Sequence, residues 1–156
     1  MQSITAREIM VTKLVTLRPE MDVHDAVHLL LRNRISGAPV VDPKGRYLGV
    51  FSEKCSMSVL LDSAYEQLPT CDVGSYMDTE AMTISEDTQL LSIAQVFLLS
   101  GHRRLPVIDD DGRLLGQVSR RDVVRAGIKQ LDAEMKSESS ILYLSAIMRR
   151  EDAPIG

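Results

Sequence analysis

Apolar positions along the chain follow two rhythms in alternation. Leu14-Val15-Thr16-Leu17 is a short run of strand formers, and Pro19 followed by Asp22 offers a turn and a helix N-cap. From there Val23, Val27, Leu30 and Leu31 fall at i, i+4, i+7 and i+8, the stripe of a helix buried on one face. Ala38-Pro39-Val40-Val41 reads as an apolar strand, Asp42-Pro43-Lys44-Gly45 as a tight turn, and Tyr47 to Phe51 as the returning strand of a hairpin. A closing helix is expected over Lys54 to Leu61.

The whole pattern then returns. Met10 to Cys55 matches Met77 to Asp122 without a gap, at the constant offset of 67 that separates Pro39 from Pro106. Pro39-Val40-Val41-Asp42 becomes Pro106-Val107-Ile108-Asp109, and Gly45-Arg46-Tyr47-Leu48-Gly49 becomes Gly112-Arg113-Leu114-Leu115-Gly116. The helical stripe recurs as Leu90, Ala94, Phe97 and Leu98, and a second closing helix is expected over Arg120 to Ile128. A repeat this long is a folding unit, so two β-α-β-β-α copies are expected to pack as a pseudo-twofold pair. The fold class is α+β, of α/β type, with clefts between the halves as natural ligand sites. Residues 1–67 form repeat 1, 68–128 repeat 2 and 129–156 a C-terminal helical tail, with Asp62 to Asp72, including Pro69, as the link. In the tail, polar Lys129 to Ser140 precedes Ile141, Leu144, Ile147 and Met148 at helical spacing, a helix expected to pack on the module or on a second chain. Glu151 to Gly156 reads as frayed.

Composition narrows the function classes. A chain of 156 residues that is 44% hydrophobic can bury a core, but it is too short for two large domains. A net charge of −4 and a pI near 5.4 argue against a duplex-DNA binder, and with no Trp and two Phe there is little to stack on single strands. No apolar run nears the roughly 20 residues that span a bilayer, and Met1 to Arg7 lacks a signal peptide's apolar stretch, so a soluble, cytoplasmic protein is expected. Cys55 and Cys71 form no CxxC pair and have no His at zinc-site spacing, which reads as two reduced thiols.

One run stands out for its chemistry: Gly116, Gln117, Val118, Ser119, Arg120, Arg121 and Asp122. A strand ending at Val118 delivers Ser119 to a helix N-terminus, where unpaired N–H groups and the helix dipole favour an anion. One turn further on, the Asp122 carboxylate can accept two hydrogen bonds from a vicinal diol. Ser119 and Asp122 can equally form only a capping pair, and both readings stay open. In repeat 1 the same run is Gly49, Val50, Phe51, Ser52, Glu53, Lys54 and Cys55. A thiol is a poor diol acceptor, so the repeat-1 site is expected to be weak or empty.

From about Ile4 to Gly127 the chain resembles tandem cystathionine-β-synthase (CBS) domains, on the strength of both repeats, the Gly-Arg-x-Leu-Gly turns and the Gly-x-apolar-Ser-x-x-Asp run. The resemblance implies a regulatory module without catalysis or catalytic cofactor, in which Asp122 holds the ribose of an adenosine ligand. AMP is the simplest candidate, with ADP, ATP, NAD and S-adenosylmethionine as alternatives. It implies that Met21 to Ala26 touch the base, that Ile35 and Ser36 line the ribose and phosphate side, and that Ala38 and Pro39 form an apolar wall. Arg103 and Arg104, after His102, together with Arg120 and Arg121, can fork onto phosphate oxygens or form a solvated basic edge. His24 and His28, at i and i+4, lie off the apolar stripe and lack the Glu of an HExxH motif, which reads as a polar face. Partners implied are a second copy of the chain and a regulated protein the sequence does not name, with no nucleic acid and no membrane. Val123, Val124 and the Ile141 to Met148 stripe are candidate contacts or buried core. A ligand-free adaptor with a degenerate cleft is the alternative function.

Overall fold

The computed structural model describes residues 3–66 and 71–152. Repeat 1 runs α1 (Ala6–Ile9), α2 (Val23–Asn33), β1 (Gly37–Val41), β2 (Tyr47–Ser52) and α3 (Glu53–Glu66). Repeat 2 runs α4 (Val73–Tyr76), β3 (Ile84–Ser85), α5 (Leu90–Leu99), β4 (Arg104–Ile108), β5 (Leu114–Ser119) and α6 (Arg120–Asp152).

Local chemistry accounts for these elements. The Asp22 carboxylate accepts the backbone N–H groups of His24 at 2.8 Å and Asp25 at 3.3 Å, which starts α2, and Arg34 ends it in the left-handed region at φ 54°. Strands β1 and β2 pair antiparallel, as do β4 and β5, and each hairpin carries its register shift at the equivalent place, Val40/Val41 and Val107/Ile108. Both turns place glycine at φ +81°, Gly45 and Gly112. In each the preceding aspartate gathers two backbone N–H groups: Asp42 takes those of Lys44 and Arg46, Asp109 those of Asp111 and Arg113.

Three expectations change. The strand expected at Leu14 to Leu17 shrinks to one parallel bridge, Leu17 with Val40, while its counterpart is the two-residue β3, parallel to β4; the turn follows at the equivalent place in both repeats. Helix α3 continues past Leu61 to Glu66, since Asp62-Ser63-Ala64-Tyr65 contains no breaker, while the Pro69 turn lies outside the described residues. Helix α6 runs unbroken for 33 residues from Arg120 to Asp152, because no Pro or Gly interrupts the chain between Gly127 and Pro154. Glu151 and Asp152 belong to that helix, and the end expected to fray beyond them lies outside the described residues.

The two cores are interlocked. Around Leu17, Val23, Leu30, Val40 and Phe51 of repeat 1 is packed Val73 from α4, fully buried, with Tyr76 and Met77 beside it. Around Ile84, Leu90, Ile93, Leu105 and Val118 of repeat 2 is packed Ala6 from α1, with Ile4, Ile9 and Met10. Each repeat thus completes its partner's core with its opening segment. The bridges obey the same symmetry: Val11 pairs with Gln117 as Asp78 pairs with Val50, and Thr5 with Gln89 as Asp72 with Asp22. The hairpin turns also join, through Tyr47 N–H to the Gly112 carbonyl at 2.8 Å and Leu114 N–H to the Gly45 carbonyl at 3.0 Å. Glycine is required where the segments cross, because a Cβ on Gly49 would lie 2.5 Å from the Asp78 carbonyl oxygen, and one on Gly116 would lie 2.8 Å from that of Val11.

Apolar surface remains on the helices. Leu31 of α2, Met57 and Leu60 of α3, Leu98 and Leu99 of α5, and Val124 and Ile128 of α6 are exposed, whereas Val123 is buried in the second core. Beyond Ile128, the α6 side chains Met135, Ile141, Leu142, Leu144 and Met148 are exposed as well, and Ile147 sits at the border of exposure.

Candidate functional site

Two clefts open where the repeats face one another. The first, of about 590 Å³, lies between the hairpins and the start of α3; its walls include Ser36, Pro39, Ser52, Glu53, Lys54, Asp78, His102, Arg103, Arg104 and Gln117. The second, of about 1160 Å³, lies between α2, α3 and the start of α6; its walls include Ile35, Ser36, Glu53, Ser56, Arg103, Arg104, Ser119, Arg120 and Arg121. Ser36, Glu53, Met57, Arg103 and Arg104 border both. Either volume is of ligand size.

At the head of α6, Ser119 and Asp122 form a reciprocal capping box. Ser119 N–H donates to Asp122 Oδ2 at 2.8 Å, and Asp122 N–H donates to Ser119 Oγ at 3.2 Å. The carboxylate is 14% exposed, and its other oxygen, Oδ1, lies 4.0 Å from the Arg125 guanidinium. Capping therefore occupies one carboxylate oxygen and leaves Oδ1 with lone pairs for a further donor. Arg120 Nε donates to the His102 carbonyl at 3.1 Å, which ties the loop carrying Arg103 and Arg104 to the head of α6.

The head of α3 is built from the same frame with different chemistry. Cys55 N–H donates to Ser52 Oγ at 3.3 Å, the Cys55 thiol lies 3.4 Å from Ser52 Oγ and 3.8 Å from the Val50 carbonyl, and Ser56 Oγ donates to the Ser52 carbonyl at 3.0 Å. Cys55 is buried and lines neither cleft.

Of the residues singled out by sequence, the second cleft unites Ile35, Ser36, Arg103, Arg104, Ser119 and Arg121. Pro39 lines the first cleft. Met21, Ala26, Val118 and Asp122 line neither: Ala26 and Val118 are fully buried in the two cores, Met21 packs against the first, and Asp122 sits in its cap. Sequence reasoning passed over Ser52, Glu53, Lys54, Asp78 and Gln117 as cleft residues. The 67-residue offset carries Ser119-Arg120-Arg121 onto Ser52-Glu53-Lys54, so for those three the signal was present. His24 Nδ1 stands 3.6 Å from Asp22 Oδ1, and no group of three metal-ligating side chains occurs among the described residues. Among those residues, too, no helix is long and apolar enough to cross a membrane.

An interlocked tandem repeat with ligand-sized clefts beside two equivalent helix N-termini is a paired-domain binding module. The CBS domain family model matches residues 6–54 and 73–129, and the chain belongs to that family as a tandem pair. Among curated relatives, the CBS domain-containing protein CBSX1, chloroplastic, of Arabidopsis thaliana is 30% identical over 152 residues, spanning 80% of this chain and 64% of its own. The chain thus spans less than two thirds of that relative's length. A crystal structure of CBSX2 in complex with AMP superposes at a TM-score of 0.69 with 30% identity, over 80% of this chain and 96% of that one. The cytosolic domain of the Mg2+ channel MgtE in complex with ATP superposes at 0.66 with 28% identity, over 78% of this chain and 48% of that one.

Proposed function

We propose that this chain is a non-enzymatic regulatory module that binds an adenosine-containing ligand, most simply AMP, at the second cleft. The observation that carries the reading is the Ser119–Asp122 box at the head of α6, beside a cleft walled by Arg103, Arg104, Arg120 and Arg121. Asp122 Oδ1 takes the ribose diol, the arginines take the phosphate, and Ile35 and Ser36 line the side facing them. The AMP and ATP bound by the two solved relatives support the ligand class. Because Ser36, Arg103 and Arg104 come from different repeats, a ligand here ties the halves together, and any difference in affinity between two arrangements becomes coupling energy for a partner. The exposed apolar helix faces suit a second copy of the chain in the cytoplasm.

Isothermal titration with AMP, ADP, ATP, NAD and S-adenosylmethionine tests the reading. Asp122→Asn keeps an acceptor for Ser119 N–H but removes the charge, and it should weaken binding about tenfold or more. Unchanged affinity in that variant would remove Asp122 from the site. An adaptor that binds no ligand is the second reading, favoured by the engagement of Asp122 in its cap and by the apolar surface along α6; heat-free titrations with every ligand would select it.

A further inference from the structure

Helix α6 outruns the module it belongs to. Its first turns give Val123 and Ala126 to the second core, and it packs on α1, α5 and β5. The family match stops at residue 129, whereas the helix continues to Asp152. From Leu131 to Met148 every side chain except that of Glu134 is exposed, a length of about 27 Å.

Propensity does not hold such a helix. Ser137, Ser139 and Ser140 are indifferent helix formers, and a helix in water is stabilised chiefly by packing an apolar face. Val124, Ile128, Leu131, Met135 and Leu142, all exposed, fall at the a and d positions of a coiled-coil seam that starts on the module and skips one place, Glu138. Ile141, Leu144 and Met148, exposed as well, lie on a neighbouring face of the helix.

Area and charge identify the occupant. The exposed apolar side chains of α6 leave on the order of 1,000 Å² in water, and covering half of that on each of two chains buries about 1,000 Å², the size a specific interface needs. A strip of this kind that complements itself across a twofold axis is the surface of an isologous dimer. In a parallel pair Glu138 would meet itself across the seam. In an antiparallel pair with Leu131 opposite the partner's Leu142, Glu138 lies opposite the partner's Met135 and beside the partner's Lys136.

We propose that α6 is the interface between two copies of this chain, joined as an antiparallel helix pair along the seam from Val124 to Leu142. The proposal rests on the second-copy part of the reading above and not on its ligand.

Sedimentation equilibrium of the full chain from micromolar to submillimolar concentration, with circular dichroism over the same range, tests it. The parent should pass from one chain to two and gain helix as it does so. Leu131→Lys combined with Leu142→Lys, both at exposed positions, should weaken association about a hundredfold or more and abolish the concentration-dependent helix. AMP affinity in that variant should be unchanged, so failure of this interface and failure of the adenosine reading are read separately. Leu98→Lys, at an exposed position of α5, should associate like the parent. Glu138→Lys sets two lysines side by side and should weaken association severalfold; adding Lys136→Glu should restore it. A parent that stays a single chain, association that survives the paired lysines, loss of association in Leu98→Lys, or a charge swap that restores nothing would overturn the proposal.

Discussion

Substituting Gly49 by alanine tests how tightly the two repeats are locked. The new Cβ would stand 2.5 Å from the Asp78 carbonyl oxygen, and reaching an ordinary 3.4 Å requires the crossing segment to retreat by about 0.9 Å. The neighbouring bridge, Val50 N–H to Asp78 O at 3.0 Å and Asp78 N–H to Val50 O at 2.8 Å, does not survive such a shift. Two lost hydrogen bonds cost about 2 kcal/mol net, and loosening the fully buried Val73, five residues upstream of Asp78 and held by the Met77 N–H to the Val73 carbonyl, adds about 1–2 kcal/mol. Gly49 does not occupy the left-handed region, so alanine also removes about 0.4–1 kcal/mol of unfolded-chain entropy, leaving a net loss near 3 kcal/mol.

For a chain of this length that loss lowers the melting temperature by about 6–12 °C. The assay is thermal and urea unfolding of Gly49→Ala beside Gly101→Ala, whose Cβ would meet nothing within 4 Å and whose φ is not left-handed. The control should stay within about 1 kcal/mol of the parent. A Gly49→Ala protein as stable as the control would refute the claim that this crossing is sterically closed.

Three further outcomes follow from particular groups. Asp22→Ala removes both cap bonds to His24 and Asp25 and should cost about 1 kcal/mol in urea unfolding. The Tyr47 hydroxyl is buried without a hydrogen-bond partner among the described residues, and burial first, then the Asp78 charge, pushes its phenol up to about 12. A raised folded pKa means stability that is full below about pH 10 and lost as pH climbs toward 12; Tyr47→Phe should flatten part of that alkaline decline and leave the protein no less stable at neutral pH. Cys55→Asp restores the carboxylate that repeat 2 carries at Asp122, and if the adenosine reading holds, titration should move from one equivalent of AMP toward two.

The architecture was legible in the sequence because its cause is local and repeated. Asp22, the Asp42-to-Gly45 turn and the i, i+4, i+7, i+8 stripe each act within a few residues of themselves, and each formed. The exchange of α1 and α4 between cores was not legible, because Ala6 and Val73 are ordinary apolar residues whose destination depends on contacts about 80 and 50 residues away, such as Ala6 N–H to the Thr88 carbonyl and Val73 N–H to the Met21 carbonyl. Helix ends were misplaced where the expectation relied on polarity: Lys129 to Ser140 is hydrophilic but contains no breaker, and helix propagates through it. Ser119 and the arginines border one cleft at the strand ends that the repeat marks, and Ile35 and Ser36, assigned by resemblance, border it as well. Met21, Ala26 and Val118 were assigned by resemblance, and their side chains serve packing.

Divergence between the repeats is itself patterned, and that pattern separates structure from recognition. In the cores, matched positions exchange one apolar residue for another: Leu17 with Ile84, Val23 with Leu90, Leu30 with Phe97, Phe51 with Val118. Such swaps conserve burial and leave the frame intact. Around the clefts they change charge or polarity instead: Ser36 faces Arg103, Gly37 faces Arg104, Val50 faces Gln117, Glu53 faces Arg120 and Cys55 faces Asp122 across the pseudo-twofold. Pro39 and Pro106, and Ser52 and Ser119, stay the same at the clefts, so the changes there fall on charged and hydrogen-bonding groups while the frame that carries them is kept. If the adenosine reading holds, this asymmetry leaves the diol acceptor at the head of α6 alone, so the frame carries one competent site.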